Sequence, residues 1–174
     1  MTSTSSFAAF VSAAGIQLDG GVGERSYRPA TASELRPSYE LGAGELVIDL
    51  RDVDLPAGDH HLKVGIGAGH AQVLVPEDVC VASTATIGMG GVIVFDRNGG
   101  GIDMDWSDER RAPAGTARLV IDGEVGLGLL DVRHNDDDHY DWEGRRSDRY
   151  DPDDERNNAC SARVATAGSG ASRG

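Results

Sequence analysis

Apolar residues along this chain fall into short alternating runs. "ELVIDL" (45–50), "AQVLV" (71–75), "GVIVF" (91–95) and "ARLVIDGEV" (117–125) alternate Val, Ile and Leu with polar or small residues. That is the period of a half-buried strand. Turn signals divide the runs: "PAGD" at 56–59, "PED" at 76–78, "DRNGGG" at 96–101 and "APAG" at 112–115. Helical patterning is almost absent. "TASELRP" at 31–37 can open a helix at Thr31 or Ser33 with Glu34 in its first turn, but Pro37 ends it quickly.

The same phrase, an apolar residue, Gly-x-Gly and a strand-like run, is written four times. It reads "LGAGELVID" at 41–49, "IGAGHAQVLV" at 66–75, "IGMGGVIVF" at 87–95 and "VGLGLLDV" at 125–132. Aligned on the first glycines (Gly42, Gly67, Gly88, Gly126), the spacings are 25, 21 and 38 residues. The long gap contains an extra strand excursion through "GIDMDW", and the remaining period suits a repeat array.

Parity decides what the glycines do. The residue before the first glycine is Leu41, Ile66, Ile87 or Val125. Four after it stands Leu46, Ala71, Val92 or Leu130, and six after it Ile48, Val73, Val94 or Val132. All three positions are apolar in every copy, yet a continuous strand cannot turn odd and even offsets to one face. The phase must therefore shift inside Gly-x-Gly, as a corner or bulge allows. Each unit is a strand, a glycine corner, a second strand and a turn. Stacked units place the strands parallel and in register around aliphatic ladders.

A phosphate-loop reading of the glycines fails. No copy has the third glycine of Gly-x-Gly-x-x-Gly, no helix follows, and there is no Gly-Lys-Ser or Gly-Lys-Thr.

Composition narrows the function classes. The 174 residues carry a net charge of −13, which argues against nucleic acid and against anionic lipid. Aromatic content of 5% predicts an aliphatic core. Residues 134–160 hold ten Asp and Glu against four Arg, so the acid is concentrated there. The two cysteines form no framework: Cys80 is expected as a buried thiol, Cys160 lies in the polar tail, and pairing between them stays open. Three parts are expected. Residues 1–22 are a lead-in whose apolar stretch at 7–18 is either a cover for the core or the remnant of a membrane helix. Residues 23–134 are the repeat domain. Residues 135–174 are a disordered acidic tail.

Residues 21 to 134 resemble the C-terminal domain, called Toastrack, shared by actinobacterial phage-shock-protein-C-like and LiaF-like proteins. The resemblance is carried by "GGVGERSYRPATASELRPSYELGAGELVIDLRDVDLPAG", by "GAGHAQVLVPEDV" and by the closing "ARLVIDGEVGLGLLDVRH". It implies an all-β, right-handed, single-stranded β-helix-like solenoid of stacked Gly-x-Gly-cornered coils. It also implies a non-catalytic sensor or interaction role in envelope stress or the cell-wall antibiotic response, with protein partners. Such domains follow membrane helices, so the parent protein would be membrane-anchored through a segment missing or truncated here. The family has no catalytic residue to carry over, and no cofactor is expected.

Other chemistry is thinly represented. Asp103 and Asp105 in "GIDMDW" would share one strand face beside inward Ile102, Met104 and Trp106. A polysaccharide-cleaving or -binding β-helix would use such a pair, while a solvent-facing polar row is the plainer reading. "DHH" at 59–61, "HNDDDHYD" at 134–141 and "DPDDE" at 151–155 can touch metal but lie in a turn or tail, without the rigid spacing of a built site. Cys80 has no activating neighbour, and His70 beside a corner is expected exposed. The candidate partner surface is the charged segment with Arg25, Tyr27, Arg28, Arg36 and Tyr39, since Arg and Tyr are enriched at interfaces. The same residues would serve as the cap that a solenoid needs at its open end. Self-association through the ends of the stack is the remaining alternative.

Overall fold

The structure, a computed structural model, describes residues 21–95, 97–134 and 159–160. The lead-in up to residue 20 and most of the acidic tail lie outside the described residues, and so do the expectations made for them. Six strands form one sheet: β1 (Val22–Tyr27), β2 (Ser38–Asp49), β3 (Gly58–Leu74), β4 (Cys80–Val94), β5 (Arg97–Asp108) and β6 (Ala117–Arg133). The expected helix start is a single 3-10 turn at Ala32–Glu34, with Thr31 as its N-cap.

The all-β expectation holds, and so does the register. Leu41, Ile66, Val125 and Ile87 stand side by side across four strands, as do Leu46, Ala71, Leu130 and Val92, and Ile48, Val73, Val132 and Val94. All twelve are at most 3% exposed and belong to one buried cluster. Both halves of each strand therefore face the same core, as the parity required. Leu50, Val53, Leu55, Val75 and Val79 from the connections join that cluster.

The phase shift sits at the second glycine of each pair. Gly44, Gly69, Gly128 and Gly90 are aligned across the sheet with φ of +125°, +131°, +141° and +139°. This is backbone that side-chain-bearing residues rarely adopt. Each of these glycines also lies against the carbonyl of the glycine on the neighbouring strand, so that an added Cβ would fall well inside 3.0 Å of it. A fifth corner, Gly23 at φ +128°, continues the column on β1.

The order of the strands differs from a simple stack of coils. The sheet runs β1-β2-β3-β6-β4-β5, with all neighbours parallel except the β4–β5 hairpin. β6 is inserted between β3 and β4, where chain-order stacking would have put those two in contact. "DRNGGG" is also mostly strand: Val94 pairs with Arg97, so the hairpin turn is only two residues and Phe95 takes a positive φ of 54°. On β5 the corner falls at Asp103, with φ 49°. That shift turns Ile102 outward (68% exposed) while Met104 and Trp106 pack against the core. Ile102 is therefore not the inward residue that unbroken alternation predicts, and Asp103 and Asp105 are not two members of one uninterrupted strand face.

Cys80 is bonded to Cys160, with Cα atoms 4.5 Å apart, so its expected state as a free buried thiol is corrected. The bridge ties a residue 80 positions downstream to the first residue of β4.

Candidate functional site

The segment singled out for its Arg and Tyr residues folds over the β1–β2 end of the sheet. Its composition explains the shape. Tyr39 alternates inward on β2 and is only 3% exposed, which removes it from any free surface. The Tyr27 ring lies against it at 4.9 Å between centroids, and the Arg36 guanidinium stands 5.1 Å from the Tyr27 centroid. The Tyr39 hydroxyl accepts the Arg36 backbone N–H at 3.1 Å. Arg28 donates from Nε and Nη2 to Asp52 at 3.0 and 2.6 Å, which, with Asp49 nearby, holds its pKa above the ordinary value. Arg25 is exposed on β1. Arg25, Arg28 and Arg36 are thus exposed, Tyr27 is half-buried against the core and Tyr39 is buried.

Among the described residues three carboxylates are buried, none of them singled out by the sequence. Asp49, Asp108 and Asp131 are 7%, 3% and 2% exposed, and each is met by the arginine two residues on: Arg51, Arg110 and Arg133. Asp108 also accepts from Arg97 at 2.5 Å. The signal was present as Asp-x-Arg at 49–51, 108–110 and 131–133. Asp49 is the last residue of β2, and Asp131 lies within β6, between the buried Leu130 and Val132. Residues two apart on extended chain point the same way, so each pair can form within its own segment. All three buried carboxylates are therefore committed to arginine.

The Asp49 pair makes a pH prediction. Arg51 donates to both Asp49 oxygens at 2.9 Å, and this bonding, more than any other influence, holds the carboxyl below its ordinary value of 3.8. A depressed pKa in the folded state means the contribution is complete above the unfolded value and is lost as pH falls through the folded one. Urea midpoints measured at pH 7 and pH 3 should differ less in Asp49→Asn than in the wild type. An unchanged difference would show that Asp49 is not part of the acid sensitivity.

Of the other candidates, residues 135–141 and 151–155 lie outside the described residues. Asp59 pairs with Arg118 at 3.5 Å, and the His60 ring lies 2.7 Å from the Pro56 carbonyl oxygen. His134 packs on Phe95 and reaches the Val75 carbonyl at 3.1 Å. Asp105 accepts a hydrogen bond from Thr86 at 3.3 Å. Among the described residues no group of three or more His, Cys, Asp or Glu is placed to hold a metal, and no helix is long and apolar enough to cross a membrane.

No curated protein matches the chain. A crystal structure described as a "putative cell adhesion protein" from Clostridium sporogenes is similar to part of it, at 19% identity and a TM-score of 0.37 over 55% of this chain. The match spans about half, 53%, of that protein. Residues 35–132 match the family model for the C-terminal region of LiaF, the cell wall-active antibiotics response protein. These residues hold β2 to β5 and all but the last residue of β6, and are more than half of the chain, which therefore belongs to the LiaF-like C-terminal family.

Proposed function

We propose that this domain is a non-catalytic interaction and sensor module of envelope-stress signalling. Family membership indicates a role in the response to cell wall-active antibiotics and carries the reading. The site chemistry supports it: the buried carboxylates are paired with arginine instead of being poised for proton transfer. The surface with Arg25, Tyr27, Arg28 and Arg36 is the contact for a signalling protein. In this reading the parent protein is held at the membrane by a segment preceding β1. The Cys80–Cys160 bridge favours the oxidising side for the domain, because disulfides persist there.

The test is an induction assay in cells producing the parent protein. Arg25→Glu with Arg36→Glu should alter reporter induction by a cell wall-active antibiotic at least several-fold while protein abundance is unchanged. Wild-type induction in that variant would remove this surface from the pathway. Self-association is the second reading, favoured by the sheet edges at β1 and β5, which have no neighbouring strand among the described residues. A mass by light scattering that rises with concentration would support it.

A further inference from the structure

The position between the two glycines, and its register equivalent on β5, is where the large exposed apolar side chains of the described residues fall. Val22, Ala43, Ala68, Leu127, Met89 and Ile102 stand in register across all six strands. Val22 is 80% exposed, Ile102 68%, Met89 49% and Leu127 46%, and these are the only large hydrophobic side chains so exposed among the described residues. They follow the outer side of the bend, opposite the core. With strands about 4.8 Å apart the line is roughly 24 Å long, the length of a helix of about 16 residues.

Acid borders the line on its preceding side between β2 and β5, and on its following side at β1 and β2. On the preceding half of the strands the outward neighbours include Glu40, Glu124 and Asp105, which share one register row. On the following half they include Glu24 and Glu45. The first row already holds a cation. Lys63 Nζ lies 2.9 Å from Glu124. Its pKa is raised by that hydrogen bond and by the charges of Glu124, Glu40 and Asp122.

We infer that this ridge is a docking line for a cationic amphipathic segment of a partner protein. Its apolar stripe covers Leu127, Met89 and Ile102, and its Lys or Arg residues meet the row of Glu40, Glu124 and Asp105 on one side and Glu24 and Glu45 at the β1–β2 end on the other. Charge complementarity selects this occupant. A second copy would bring acid against acid, and a chain of net charge −13 is repelled by anionic lipid. The inference rests on the interaction-module reading, but it uses a surface separate from the Arg25–Arg36 cap.

The test is fluorescence anisotropy of a labelled 16-residue Leu/Lys amphipathic peptide with the full chain, beside a scrambled peptide of the same composition. Met89→Ser with Ile102→Ser removes exposed groups only, and thermal melting confirms that the variant is folded. Binding is expected to weaken at least tenfold in that variant, in Glu40→Gln with Glu124→Gln, and for the scrambled peptide. Equal binding by the ridge variant or by the scrambled peptide would reduce the effect to charge attraction and overturn the inference. A dimer, or binding to zwitterionic vesicles, abolished by Met89→Ser with Ile102→Ser would overturn it in favour of a second copy or a lipid surface. Either failure leaves the induction assay on Arg25 and Arg36 free to decide the interaction reading.

Discussion

Replacing Gly69 or Gly128 with alanine is expected to leave no folded protein at 25 °C, while Gly23→Ala remains folded. All three residues have φ between +128° and +141°, so the backbone strain on adding a side chain is common to them. That strain costs about 1–3 kcal/mol. What differs is space. A Cβ on Gly69 or Gly128 meets the carbonyl of the next strand's glycine, whereas a Cβ on Gly23 has nothing within 4 Å. The interior carbonyl is backbone in a paired strand and cannot move aside without separating the sheet. The interior substitutions should therefore exceed about 5 kcal/mol, at the extreme of single-residue effects. Circular dichroism and urea titration of the three variants would measure the difference. If Gly69→Ala and Gly23→Ala lose similar stability, close approach of the strands is not the reason for the column.

Reduction of the Cys80–Cys160 bridge should lower stability by about 3–5 kcal/mol in the chain-entropy account, since it releases a loop closed across 80 residues. Cys160→Ser is the cleaner variant, because Cys80 is fully buried and a hydroxyl there would add its own desolvation cost. The urea midpoint of Cys160→Ser should match that of reduced wild type, and reductant should not shift the variant further. A wild-type midpoint indifferent to reductant would contradict the prediction.

Much of the strand architecture was legible because burial repeats. Leu41, Leu46 and Ile48 announce the same inward pattern as their equivalents in three other copies, and the parity between them required the corner. The spatial order of the copies was not legible for the same reason. Their hydrophobic patterns are interchangeable, so nothing in the periodicity says that Val125 lies between Ile66 and Ile87. β1 escaped notice because Gly21-Val22-Gly23 is followed by polar "ERSY" instead of an apolar run. The corner at Asp103 has no glycine to mark it. Of the candidate surface, the sequence could not separate the residues that pack from those that stay free: Tyr39 is buried by its place on β2, while Arg25, Arg28 and Arg36 are exposed.

The position of β6 bears on how the chain assembles. It is the last strand in sequence, yet it borders β3 on one side and β4 on the other. A nascent chain that has emerged only as far as residue 116 can form β1–β3 and the β4–β5 hairpin. It cannot join them, because neither holds the other's partner. Contact order is correspondingly high, and assembly waits on pairing between distant segments. Until β6 arrives, the edges of β3 and β4 are long, apolar and open, which is when such a chain is most exposed to intermolecular pairing.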